Sequence, residues 1–159
     1  MKVLRSKKGE GYITACVLII IISMLFAVTF TYAASLSKVK MMRENTKVVL
    51  DSFVTQNATQ IYDSIKQGND YTEAIDADEF YTSLISFCTL ENRNGKLYSI
   101  DANGNEQLYI TGLELGFRDE NELELVVKYT VNIPLSFAGK QFAAASVPVE
   151  ITSVLTEKF

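Results

Sequence analysis

Residues 12–34 read YITACVLIIIISMLFAVTFTYAA, and none of them carries a charge. At about 1.5 Å of helical rise per residue, that stretch spans a hydrocarbon core of roughly 30 Å with a few residues to spare. A short basic segment, MKVLRSKKGEG at residues 1–11, stands directly before it with four basic side chains against Glu10. The chain therefore reads first as a single-pass membrane protein, with residues 1–11 a leader and residues 12–34 a transmembrane helix.

The helix is expected to run on past the membrane. No Gly or Pro occurs between Tyr12 and Gln67, and Gly68 is the first breaker beyond the span. A single helix over those positions would be roughly 84 Å long. Its part beyond the span carries an apolar stripe of Leu36, Val39, Met42, Val49, Leu50, Phe53, Ala58, Ile61 and Ile65. Such a stripe needs a cover. The protein's own soluble domain is the first expectation and sister subunits the second. Residues 35–68 form this amphipathic extension, and residues 69–159 form one extracytoplasmic α+β domain.

Charge divides along the chain. Residues 35–50 hold four basic side chains against Glu44, while residues 51–159 hold seven against seventeen acidic ones. An acidic distal domain argues against nucleic-acid binding, which rests on basic side chains that neutralise phosphates. The basic flanks of the span suit membrane lipid as a partner. With four basic residues on each side the positive-inside comparison is tied, and the very short N-terminal segment tips the expectation to a cytoplasmic N-terminus.

Two other readings of the N-terminus fit the residues less well. Thr31-Tyr-Ala33 offers small residues for a signal-peptidase cut, yet the apolar stretch exceeds a secretory core of about 7 to 15 residues. Ile13-Thr-Ala-Cys16 resembles a lipidated-cysteine site, but the apolar region follows Cys16 instead of preceding it. Cys16 lies in the span and Cys88 in the soluble part, too far apart for a disulfide within one chain. Cys88 reads as a buried small apolar residue.

In the soluble part, Asp76 with Glu79 three residues on predicts a helix start, and a short helix over about Ala77–Leu90 follows. Phe80, Leu84, Phe87 and Cys88 recur at helical spacing as its packing face. From Asn92 the period changes toward 2. Strands are expected over Lys96–Ile100, Glu106–Phe117, Glu122–Leu135 and Gln141–Leu155. Asp101-Ala-Asn-Gly-Asn105 and Arg118-Asp-Glu-Asn121 are the turns, and Pro134 with Gly139 punctuates the last connection. Gly112 and Gly116 allow a bulge or bend, and Pro148 suits an edge strand. The third strand alternates cleanly, with Leu123, Leu125, Val127, Tyr129, Val131 and Ile133 on one face. Val147, Val149, Ile151 and Leu155 form the matching face of the fourth. The fold class is α+β: a long N-terminal transmembrane helix continuing into an amphipathic helix, a short second helix, and a C-terminal four-stranded antiparallel meander covered by the long helix.

Signals for chemistry are weak. The chain has no histidine, so neither a Ser-His-Asp nor a Cys-His arrangement is available. The turn Asp101–Asn105 begins like a calcium loop, but Glu106 stands where that loop needs Gly and Gly112 where it needs a bidentate Glu. Glu122, Glu124, Asp76, Asp78 and Glu79 alternate with apolar residues on solvated faces, a poor setting for acid–base work. Asn57-Ala-Thr59 is a formal glycosylation sequon placed in mid-helix, where it is a poor acceptor. No catalytic, cofactor-binding or metal-ligating residue is assigned.

The leader ending in glycine (Lys7-Lys-Gly9, Gly11), the immediate apolar helix, its amphipathic continuation and a C-terminal antiparallel sheet together resemble type IV pilin-like proteins, in particular the TadE-like minor pilins of tight-adherence pili. Tyr129-Thr-Val-Asn-Ile-Pro-Leu-Ser-Phe-Ala-Gly-Lys140 with Val147-Pro-Val-Glu-Ile151 looks like their C-terminal strand pair. The resemblance implies a subunit of a pilus or secretion system, with other pilin-like subunits and a prepilin peptidase as partners. It places peptidase processing after Gly9 or Gly11. In that family a Glu stands fifth in the mature chain, whereas here the fifth residue would be Thr14 or Cys16. Ala15, Ser23 and Ala27 are small enough for close helix packing in the membrane. The alternatives are a signal-anchored extracytoplasmic binding protein that does not polymerise, and a secreted protein released at Thr31-Tyr-Ala33.

Overall fold

The computed structural model describes residues 7–70, 72, 75–119, 123–137 and 140–155. The expected turn residue Asn121, the carboxylate Glu122 and the loop residue Gly139 lie outside them. The chain divides into two compact units, Met1–Ser37 and Lys38–Phe159. The first helix, α1 (Lys7–Gln67), contributes to both.

In the first unit α1 makes no core. Every residue from 11 to 34 is exposed.

The second unit combines the rest of α1 with α2 (Ala77–Cys88) and five strands: β1 (Leu90–Arg93), β2 (Lys96–Ile100), β3 (Glu106–Asp119), β4 (Leu123–Phe137) and β5 (Lys140–Val154). The strands form one antiparallel sheet in sequence order. The meander is as expected, but it has five strands and not four.

The additional strand is β1. Thr89 turns the chain out of α2 in a left-handed conformation, so the helix stops at Cys88 and Leu90 opens a strand. Asn94 and Gly95 both have positive φ, 53° and 76°, and join β1 to β2 as the two central residues of a tight hairpin. Asn-Gly is the pair that such a turn selects, because its backbone twist matches that of the flanking strands.

Gly112 supplies the anticipated bulge. The β3–β4 register shifts between Thr111 and Glu114, and Gly112 sits there at φ +64°. One extra residue inverts which side chains face inward. Before the bulge Leu108 and Ile110 are buried; after it Leu113, Leu115 and Phe117 pack against the core. Pro134 does not end β4, which continues to Phe137. The β3–β4 pairing stops at Asn132, so Pro134 pairs only with Ala144 of β5, where its missing N–H leaves no gap between β3 and β4. Pro148 lies on β5, the outer strand, as expected.

Both helical elements of this unit cover one face of the sheet. From α1 the buried set is Met42, Thr46, Val49, Leu50, Phe53, Val54 and Ile61, with Val39 packed at its margin. The amphipathic stripe is therefore covered by the protein's own domain, except at its ends, where Leu36 and Ile65 are exposed. From the sheet come Leu108, Ile110, Leu125, Val127, Tyr129, Val131, Ile133, Val149 and Ile151. Full burial of a side chain such as Leu50 or Leu125 contributes about 1.5–3 kcal/mol each. Phe53 of α1 and Phe80 of α2 meet edge to face at 5.5 Å.

Phe87 was expected on the α2 packing face, but it is 55% exposed. The face runs instead through Phe80, Leu84 and Cys88, flanked by Tyr81 and Ile85. Positions 80, 84 and 88 lie one turn apart and set its centre, leaving 87 on the flank. Polar contacts fix α1 on the sheet: Tyr129 Oη donates to Thr46 Oγ1 at 3.1 Å, Ser153 Oγ to Asp51 Oδ1 at 2.6 Å, and Tyr62 Oη to the Leu155 carbonyl at 3.1 Å. The helix closes at Gly68 (φ +71°), whose N–H bonds to Ile65 O while Asn69 N–H bonds to Ser64 O. That pair of bonds satisfies carbonyls the last turn would otherwise leave open.

Candidate functional site

The most distinctive surface is the apolar one in the first unit. Its large apolar side chains from Tyr12 to Tyr32 are 45–80% exposed, and no charge occurs between Glu10 and Lys38. A patch of that size is unstable against water and stable in lipid. Three hydroxyls toward its C-terminal end are satisfied locally. Thr29 Oγ1 donates to Leu25 O at 2.8 Å, Thr31 Oγ1 to Ala27 O at 2.9 Å and Ser35 Oγ to Thr31 O at 2.8 Å. Each hydroxyl returns its proton to the carbonyl one turn back and needs no water, the condition a hydrocarbon environment imposes. The helix is long and apolar enough to cross a membrane, consistent with single-pass anchoring.

Gly9 and Gly11 both fall within α1, and a Cβ added at Gly11 would meet nothing. Ala15, Ser23 and Ala27 are exposed along the same segment. Eight and then four residues apart, they fall within about 120° of helical arc, one side of the span. Cys16 is exposed there, and Cys88 is half-buried on α2. Both cysteines are free. Burial pushes the Cys88 thiol up to about 11, which leaves it protonated and unreactive at neutral pH.

Several carboxylates of the second unit are engaged in turns, caps and ion pairs, while Asp78 and Glu79 stand in the first turn of α2. Asp76 caps α2 by accepting from the Asp78 N–H at 2.9 Å. Asp101 Oδ1 accepts from the backbone N–H groups of Asn103 and Asn105, each at 2.8 Å, and Oδ2 accepts from Gln107 Nε2 at 3.0 Å. The Asn105 N–H leads in holding this carboxyl below its ordinary range, so the apparent calcium loop is a self-satisfied hairpin turn closed by Gly104 at φ +81°. Glu124 pairs with Arg118 at 3.7 Å. Among the described residues no group of His, Cys, Asp and Glu is placed to hold a metal ion. Asn57 Nδ2 donates to the Phe53 carbonyl at 3.0 Å, so the sequon side chain is tied to its own helix.

The sheet face away from the helices is polar. At the β1–β3 end Tyr98 and Tyr109 lie 5.4 Å apart, with Arg93 5.8 Å over the first ring and Lys96 5.2 Å over the second. In the middle Asn132 donates to Thr111 Oγ1 at 3.0 Å and accepts from Ser146 Oγ at 2.6 Å. Toward the other end Arg118 pairs with Glu150, and Lys128 stands 3.7 Å from the same carboxylate. The Arg118 hydrogen bond is the main cause of the lowered Glu150 pKa. Gly116, opposite Val126, leaves an open depression of about 230 Å³ beside these ion pairs. Sequence reading placed Lys128 and Asn132 on a wet strand face and Arg118 in a turn, whereas Arg118 lies in β3, which runs on to Asp119; the pairing across β1–β5 depends on register that the alternation alone does not supply.

No protein-family model, curated protein or solved structure matches the chain.

Proposed function

We propose that the protein is a membrane-anchored, pilin-like structural subunit, a minor or accessory component of a Tad-type or related type IV-like pilus or secretion system. The N-terminus is cytoplasmic and the α+β domain extracytoplasmic. One observation carries the reading: a single helix, α1, is bare and apolar over residues 11–34, then supplies the core stripe of an antiparallel-sheet domain. A charge-free helix of that kind is stable in lipid and equally able to pack against copies of itself, with Ala15, Ser23 and Ala27 as close-approach positions. Assembly, not catalysis, is the activity this supports. The partners are membrane lipid, other pilin-like subunits and a prepilin peptidase acting after Gly9 or Gly11.

A second reading is a signal-anchored binding protein that stays in the membrane, with the polar sheet face as its docking surface. It is favoured by the residue five places after each glycine, Thr14 or Cys16 in place of the Glu of the pilin-like pattern. The mature N-terminus separates the two. Intact-mass and N-terminal peptide mass spectrometry on native membranes, with and without the prepilin peptidase, is expected to show peptidase-dependent loss of nine or eleven residues. An uncut Met1 supports the anchored binding protein, and a new terminus at Ala34 overturns both.

A further inference from the structure

We infer that the first turns of the second unit bind anionic phospholipid headgroups through Lys38, Lys40 and Arg43; the inference rests on membrane anchoring by residues 12–34, not on pilus assembly. Lys38 lies four residues beyond Ala34, so chain length alone holds it within about 14 Å of the end of the span. Lys40 and Arg43 follow on α1 at a rise of about 1.5 Å per residue. The headgroup layer extends about 5–7 Å beyond the hydrocarbon and its charge acts about 8–10 Å further in physiological salt, and the long Lys and Arg side chains reach back across the remainder.

The structure selects these three from the four basic residues of this segment. Lys47 is committed to its own domain, donating to Asp51 Oδ1 at 2.7 Å and to the Thr152 carbonyl at 2.8 Å. The Lys40 side chain is 78% exposed, and its neighbour Glu44 stands 3.8 Å away with 66% exposure, a loose surface pair. Arg43 is exposed and Lys38 half-buried, and neither makes an ion pair among the described residues. Met41 between them is 55% exposed, an apolar side chain suited to the interfacial layer.

Charge complementarity names the occupant. The basic turn is followed by a region with seven basic and seventeen acidic residues. An anionic surface attracts the first and repels the second, so lipid charge fixes which part of the domain faces the membrane. A zwitterionic surface supplies no such preference.

The full chain is reconstituted into lipid nanodiscs of phosphatidylcholine alone or with about one-third phosphatidylglycerol, and amine modification by a water-soluble reagent is timed by peptide mass spectrometry. Lys38 and Lys40 are expected to react at least threefold more slowly in the anionic discs, with the difference lost in high salt, while Lys96 and Lys128 react equally in both. In an R43Q variant the protection of Lys38 and Lys40 is expected to shrink. Equal rates in the two lipids overturn the inference, as does protection that follows the number of chains per disc and not lipid charge, which assigns the face to a second copy. Failure of the chain to enter discs of either composition overturns the anchoring as well, whereas an unprocessed N-terminus in the peptidase experiment leaves this inference untouched.

Discussion

Two stretches of one helix solve opposite problems. Residues 12–34 are apolar on all sides, expose every large side chain and turn the Thr29 and Thr31 hydroxyls onto their own helix carbonyls. Residues 42–61 are apolar on one stripe only, bury it fully at Leu50 and Ile61, and send polar side chains across to the sheet. The difference shows that helical continuity says nothing about environment. The angular distribution of apolar residues does, because a lipid solvent surrounds a helix whereas a sheet covers one side of it.

The comparison breaks most sharply at the buried stripe. Phe80→Ala, which removes the ring packed on Phe53, is expected to lower the stability of the second unit by about 3–5 kcal/mol. Leu50→Ala is expected to cost about 2–5 kcal/mol by the same cavity effect. The matching change Leu25→Ala in the span is expected to leave the denaturant midpoint of that unit unmoved in detergent. A comparable loss from Leu25→Ala would mean that residues 12–34 belong to a core.

The converse substitution tests lipid. Ile21→Lys places a charge mid-span and is expected to disfavour membrane insertion by about 2.5–3.5 kcal/mol, read as a shift from the membrane to the soluble fraction. Lys placed at exposed Val48 should not alter that partition.

A smaller effect concerns the polar key. Thr46→Val removes the acceptor of the buried Tyr129 hydroxyl and is expected to cost about 1–3 kcal/mol, measured by denaturant titration. The same pair gives a pH signature. Burial raises the Tyr129 pKa from 10 to about 12, so its neutral form is favoured in the folded state. The associated stability is complete below pH 10 and is lost as pH rises toward 12. Cys88, raised from 9 to about 11, loses its share between those values. An alkaline unfolding limb beginning near pH 9 is expected, and Tyr129→Phe should flatten its upper part. The smallest change is Gly95→Ala, which forces a side chain into φ +76° and is expected to cost about 1–2 kcal/mol through strain in the β1–β2 hairpin.

Much of the fold was legible because period and breakers agreed. The alternation of Leu125 to Ile133 gave both strand and face, and Gly68 gave the helix end. The shift of inward residues from Leu108 and Ile110 to Leu113, Leu115 and Phe117 already encodes the bulge at Gly112. Strand β1 was missed because the expected helix ran on to Leu90, past the left-handed Thr89 that ends α2 at Cys88, although Asn94-Gly95 carried a strong hairpin signal. Phe87 misled because helical spacing gives an arc, and only packing shows where its centre lies. The polar sheet face was legible as wet but not as ordered, since the pairing of Arg118 with Glu150 and of Tyr98 with Tyr109 depends on cross-strand register.

Single-cysteine scanning along α1 in native membranes tests the central claim most directly, using a water-soluble maleimide on a background of Cys16→Ser and Cys88→Ser. The account predicts an uninterrupted block of unreactive positions over residues 13–34. It predicts a helical alternation from residue 46 to 61, slow at Leu50, Phe53 and Ile61 and fast at Val48, Ser52 and Thr55. Alternating or uniform reactivity across residues 13–34 would contradict it.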